Sequence, residues 1–165
     1  MGSKGSSTID GGRQTTGFSI VHGLRSIVNY FFGKRGNDLT NILLVGFGGF
    51  IGSILRYLAS GYVQQATKSV GFPYGTLAVN VIGCFVIGFL AQLAESRGMF
   101  TSEARLFVFV GILGGFTTFS SFGNETLNLA RDSQMMSALA NIGANVIVGL
   151  MAVWLGRTAS YLIWK

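Results

Sequence analysis

Cysteine, histidine and proline are nearly absent from this chain: Cys84, His22 and Pro73 are each the only residue of their type. A single cysteine excludes an internal disulfide and any cysteine-based metal cluster. A single histidine, with no Gly-x-Ser-x-Gly turn, no spaced metal ligands and no phosphate-cradling loop, leaves acid–base and nucleophilic catalysis thinly provided. The expectation is that the protein is not an enzyme. Charge is scarce as well, at 11% of residues where an ordinary soluble domain carries about 25%. A net charge of +6 would suit nucleic acid only on a soluble module with a basic face, and the hydropathy leaves no such module.

Apolar residues, at 49%, and glycine, at 25 residues, fill the space that charge leaves. Glycine is more frequent in membrane helices than in soluble ones. Together these features predict an all-α polytopic membrane protein in a single domain, multi-pass in the cell membrane.

Residues 1–17 are rich in Gly, Ser and Thr and read as a disordered tail, and Met1-Gly2-Ser3 resembles a leader left by cloning. Over residues 18–35, Ile20, Leu24, Ile27 and Phe31 recur at helical spacing, and Lys34-Arg35 close the segment. This predicts an amphipathic helix on the membrane surface, with His22 as a surface side chain. Residues 40–165 then carry four apolar spans, at about 42–62, 75–94, 105–130 and 137–155, each near the ~20 residues a bilayer requires. Residues 61–73 read as the first connection, and the stretch containing Trp154, Tyr161 and Trp164 as a tilted or interfacial extension of the fourth span. Cys84 reads as a small packing residue.

The third span contains Gly114-Gly115-Phe116-Thr117-Thr118-Phe119-Ser120-Ser121-Phe122. Paired glycines beside a cluster of hydroxyls predict a break in this helix near its middle. Irregular backbone at membrane depth is tolerated only where it is buried in protein or lines a polar cavity. Arg56 and Glu125 are charges inside spans, which are functional by default. Asn80, Asn141 and Asn145 add polar groups, the last two one turn apart on one helix face. Each residue also has a plainer reading. The glycines make a packing notch, the asparagines bind helices together, the phenylalanines fill a core, and Arg56 snorkels to an interface.

Taken together, three blocks resemble the Fluc/CrcB fluoride channel family: Gly48-Gly49-Phe50-Ile51-Gly52-Ser53-Ile54-Leu55-Arg56-Tyr57, Gly75 to Gly83 with Asn80, and Gly114 to Phe122 with Glu125. The resemblance runs from about Leu43 to Arg157. The third block differs from the family's usual pattern by Ser121 in place of threonine, and Asn141 and Asn145 stand where tyrosine and serine are usual. The resemblance implies an antiparallel, dual-topology homodimer of four-helix subunits with two fluoride pores and a structural sodium ion at the dimer interface. It assigns Phe119 and Phe122 to the pores, where positive ring edges face the anion. Asn80, Thr118 and Ser120 offer donors beside them. Asn141, Asn145 and Glu125 follow along the track, Glu125 comfortable there only if protonated or paired with a donor. Arg56 would draw anions into a vestibule. Gly114 and Thr117 would give backbone carbonyls to sodium from both subunits.

The implied function is passive, fluoride-selective export from the cytoplasm, with fluoride and membrane lipid as the partners and no nucleic acid. Two other classes stay open. A proton-coupled dual-topology exporter would use Glu125, and a structural helix-packing subunit would carry no ion. With four spans, Lys4, Arg13, Arg25, Lys34, Arg35, Arg97, Arg105 and Lys165 share one side, opposed by Lys68 and Arg131. The positive-inside rule then places the termini in the cytoplasm. Without the N-terminal five, three against two would leave the core free to insert either way.

Overall fold

A computed structural model describes residues 38–164. The tail and the amphipathic segment, residues 1–17 and 18–35, lie outside the described residues. Four apolar helical segments are long enough to cross a bilayer: Asp38–Thr67, Tyr74–Arg97, Ser102–Arg131 and Met135–Ile163. The protein is a multi-pass, all-helical membrane protein. We label Asp38–Thr67 α1 and Tyr74–Arg97 α2. The third segment comprises α3 (residues 102–116) and α4, Phe119–Arg131. The fourth, Met135–Ile163, is α5. Within α3 and α5, Leu106–Leu113 and Ala144–Val148 wind as wider π-helical turns.

Two boundaries differ from the sequence reading. α1 continues past Gly61 to Thr67, so residues 61–67 are helix and the connection shrinks to residues 68–73. Gly61 has open space around it, and the helix end is held by side chains: the Thr67 hydroxyl donates to the Val63 carbonyl at 2.9 Å. Gln64 donates to the Phe72 carbonyl at 3.1 Å and accepts from the Gly75 amide at 3.0 Å, tying the connection to the start of α2. The fourth helix likewise runs on past Leu155, as one helical segment to Ile163. Its end is fastened by an Arg157–Glu95 ion pair to α2 and by Arg97 donating to the Trp164 carbonyl at 2.9 Å.

The core inverts the soluble pattern. Large apolar side chains such as Phe47, Leu58, Leu150, Trp154 and Leu162 are exposed, which suits a surface facing lipid. The buried positions include small or polar residues: Ala138, Asn141, Ala152 and Ser160. Lipid tails are as apolar as leucine, so helix association relies on close van der Waals contact and interhelical hydrogen bonds. Glycines make that contact. A Cβ at Gly115 of α3 would lie 2.7 Å from the Gly49 carbonyl of α1, and one at Gly52 would overlap the Ile112 carbonyl. On the other crossing, a Cβ at Gly88 of α2 would overlap the Val153 carbonyl, and one at Gly156 of α5 the Phe85 carbonyl.

Those neighbours are backbone atoms and cannot step aside as a side chain would. Gly156→Leu is therefore expected to cost more than the ~1–3 kcal/mol of ordinary overpacking. The variant should lose its monodisperse peak in mild detergent and melt well below wild type. Gly46→Ala, where an added Cβ meets nothing within 4 Å, should behave as wild type. Equal melting of both variants in detergent would refute the glycine crossings.

Candidate functional site

The polar centre of the molecule forms where α3 gives way to α4. Thr117 (φ −86°, ψ 156°) and Thr118 (φ −147°, ψ 111°) are extended, between helical Phe116 and helical Phe119. β-branched threonine tolerates extended backbone well. Thr118 is also a good N-cap: its hydroxyl accepts from the Ser121 amide at 3.2 Å and starts α4. The Thr117 amide still donates to the Leu113 carbonyl at 3.0 Å, so the departure from helix is confined to two residues.

Two amides at this turn bond side-chain oxygens in place of helical carbonyls. In a continuous helix the Thr118 amide would go to the carbonyl of Gly114, four residues back. It donates instead to Asn80 Oδ1 on α2, at 2.9 Å, while Asn80 Nδ2 donates to the Thr118 carbonyl at 3.2 Å. The Ser121 amide, which would go to the Thr117 carbonyl, goes to the Thr118 hydroxyl. Both of these rerouted bonds release a carbonyl, one on Gly114 and one on Thr117. Gly114 is exposed.

From Asn80 a hydrogen-bonded ladder crosses three helices. Asn80 Nδ2 also donates to Asn145 Oδ1 at 2.9 Å. Asn145 Nδ2 donates to the carbonyl and the side-chain oxygen of Asn141, each at 3.0 Å. Asn141 Nδ2 donates to Thr126 Oγ1 at 2.9 Å, and that hydroxyl donates to the Phe122 carbonyl at 2.7 Å. Asn141 is fully buried, where an unpaired amide would be costly. Both Asn80 amide hydrogens are engaged.

Two cavities flank the extended threonines. One, of about 350 Å³, is lined by Asn80, Gly114, Thr117, Thr118, Phe119, Phe122 and Asn145, with apolar Leu113 and Ile87. The Phe119 and Phe122 rings lie 5.4 Å apart at 58°, with Phe122 buried and Phe119 83% exposed. The second, of about 400 Å³, is lined by Arg56, Thr118, Ser120 and Glu125, together with Ser53, Tyr57, Thr76 and Ser121. Thr118 borders both. Asn141 borders neither and acts through the ladder.

The candidate residues thus divide into an aromatic–amide group and a group around Arg56 and Glu125. Glu125 does not join the phenylalanine cavity: its Oε1 accepts from the Thr76 hydroxyl at 2.6 Å, and its Oε2 is buried without a hydrogen-bond partner. The sequence reading missed Thr76 and Thr126. Thr76 precedes Asn80 by four residues and Thr126 follows Phe122 by four, so helical spacing alone marks both as neighbours on the polar faces. Ser121, in place of the family's threonine, keeps the one group used here, its hydroxyl, which receives the Thr118 hydroxyl proton at 3.0 Å.

The model of the family described as CrcB-like protein, Camphor Resistance (CrcB), matches residues 43–157. Fluoride-specific ion channel FluC 3 of Methanosarcina barkeri is 45% identical over 127 residues, covering 74% of this chain and 95% of the relative. Fluoride-specific ion channel FluC of Elusimicrobium minutum is 47% identical over 125 residues, covering 76% and 97% respectively. That of Methylobacillus flagellatus is 46% identical over 115 residues, covering 70% and 90%. A match across all four membrane segments, including both glycine crossings and the extended threonines, makes this chain a member of the CrcB family.

Proposed function

We propose that the chain forms a fluoride-selective passive channel through which fluoride leaves the cytoplasm down its electrochemical gradient. The carrying observation is the pair Phe119 and Phe122, set beside hydroxyl and amide groups on one cavity at the point where the backbone leaves the helix. The names of the relatives support the same reading. Fluoride is small and strongly hydrated, so a pathway must replace its water with donors. The hydroxyls of Thr118, Ser120 and Ser121 bond one another and can turn a proton toward the anion, and ring edges hold it while excluding water and cations. Asn80 serves the pathway by holding Thr118 extended, since its own amide hydrogens are committed to Thr118 and Asn145. Arg56 attracts anions into the neighbouring cavity.

In the working assembly two subunits pair antiparallel and give two pores. Phe119, exposed on a single subunit, then lies at the junction between copies. The Gly114 and Thr117 carbonyls fit a hard cation, because both are freed from helical bonding and Gly114 is exposed where a second copy can add its own pair. A sodium ion held there would supply a fixed positive charge that fastens the dimer and offsets the cost of a nearby anion.

The unpartnered Glu125 Oε2 favours one rival, a proton-coupled exporter built on the same fold. Fluoride efflux from proteoliposomes separates the two. Rapid efflux at equal pH on both sides is expected, and strict dependence on a proton gradient would establish the exporter instead. A chain acting only as a structural subunit would carry no fluoride. In the same assay Phe119→Ile and Phe122→Ile should each slow efflux by about tenfold or more, the equivalent of ~1.4 kcal/mol in barrier, without dissociating the dimer. Wild-type flux through both variants would remove the rings from the pathway. Exchanging sodium for the larger N-methyl-glucamine cation should weaken the dimer on size exclusion, and an unchanged elution profile would refute the central cation.

A further inference from the structure

The hydrogen-bonded ladder that leaves the start of α4 through Asn80 returns to it at Phe122. Its protons can be followed from one backbone group to another. The Thr118 amide can only donate, so Asn80 presents Oδ1 to it, at 2.9 Å, and has only Nδ2 to offer onward. Asn80 Nδ2 reaches Asn145 Oδ1 at 2.9 Å, Asn145 Nδ2 reaches Asn141 Oδ1 at 3.0 Å, and Asn141 Nδ2 reaches Thr126 Oγ1 at 2.9 Å. With a proton arriving at its oxygen, the Thr126 hydroxyl gives its own to the Phe122 carbonyl, at 2.7 Å, a group that can only accept. Turning over any of the amides along this path would set nitrogen against nitrogen, so every side chain in it has one orientation. Phe119 and Phe122 lie between the two ends. On one side Thr118 caps α4; on the other Thr126 bonds back by one turn, a contact that bends helices and competes with the peptide ladder. The Asn141 amide leaves the Thr126 hydroxyl no other direction. Neither Asn141 nor Thr126 lines the aromatic cavity, and Asn141 has no exposed surface, so neither meets an ion there.

We propose that Thr126, oriented by Asn141, is a positioning residue for the aromatic pair: it fixes the turn of α4 that carries the Phe122 ring and so sets how fast fluoride passes the rings. The proposal rests on the fluoride reading above. An aromatic ring attracts an anion at its edge and repels it at its face, so the aim of the ring decides the sign of the contact. Phe122 is buried against Phe119, and its aim follows from the backbone that carries it. Groups behind a site that hold its side chains in place by hydrogen bonds keep that aim within the narrow limits function needs. A strut that only joined α4 to α5 would contribute stability and leave the rings unaffected.

The test is fluoride efflux from proteoliposomes carrying wild type, Thr126→Val, Thr126→Ser, Asn141→Ala, or Thr126→Val combined with Phe122→Ile, with the dimer followed by size exclusion. Thr126→Val keeps the shape and removes the hydroxyl, and should slow efflux roughly fivefold, the rate equivalent of one net hydrogen bond. Thr126→Ser keeps the hydroxyl and should restore most of the rate. Asn141→Ala should also slow efflux, and it strands no donor: Asn145 keeps the Asn141 carbonyl and Thr126 keeps that of Phe122. Added to Phe122→Ile, Thr126→Val should slow efflux no further, because a residue that acts through a ring has nothing to act on once the ring is gone. Independent slowing in the double variant, or wild-type rates in Thr126→Val and Asn141→Ala, would overturn the positioning role and leave the channel reading standing. Loss of the dimer in both of those variants would do the same, since the ladder would then be a strut for assembly. Absence of fluoride efflux from the wild-type protein would overturn the channel reading and the positioning role with it.

Discussion

A polypeptide that leaves helical geometry inside a bilayer must find partners for the backbone groups it frees, because lipid offers none. Here one side chain meets that constraint for Thr118. Asn80 grips both the amide and the carbonyl of Thr118, substituting for the helical neighbours that Thr118 has lost. The primary amide is suited to the task because it presents a donor and an acceptor side by side. Remove either half and a buried peptide group goes unpaired, at a cost of about 1–3 kcal/mol.

The surrounding architecture serves that grip. The asparagine on α2 reaches Thr118 only if α2 approaches the extended step closely, and Gly83 of α2 permits the approach, because a Cβ there would overlap the Thr117 side chain. The second Asn80 hydrogen passes to Asn145 and so to Asn141, Thr126 and the Phe122 carbonyl, which fixes α5 and α4 relative to the same point. Such a network is stable when every member is satisfied, and each link here has a partner. The result is a centre with the released Gly114 and Thr117 carbonyls on one side of Thr118 and, on the other, ring edges beside hydroxyls that bond one another. In the proposed channel that asymmetry would let a single irregular step in the backbone face ions of opposite sign.

Glu125 is the instructive exception. Placing it one turn beyond Phe122 suggests a continuous face of ring and carboxylate, yet α4 carries it out of the aromatic cavity and into the space containing Arg56. Its neighbour is Thr76, from an element 49 residues away in the chain. Nothing local to residues 119–131 reveals that pairing. The same holds for Asn141, which the resemblance places on the pathway and which is wholly buried and bonded to Asn145 and Thr126.

Hydropathy, helical spacing and three short blocks of residues determined by themselves the helical class, the four membrane segments and the family. They can do so because a bilayer imposes its length and polarity on every spanning segment independently of the others. Helix ends were less legible. Gly61 reads as a stop, whereas Gln64 and Thr67 supply the hydrogen bonds that carry α1 onward to Thr67. Tertiary structure alone decided which polar residues meet. It took the approach of α2 to the extended threonines to turn Asn80 from one more intramembrane amide into the group that holds them, because a hydrogen bond needs its partners within about 3 Å and chain spacing places them only on a face.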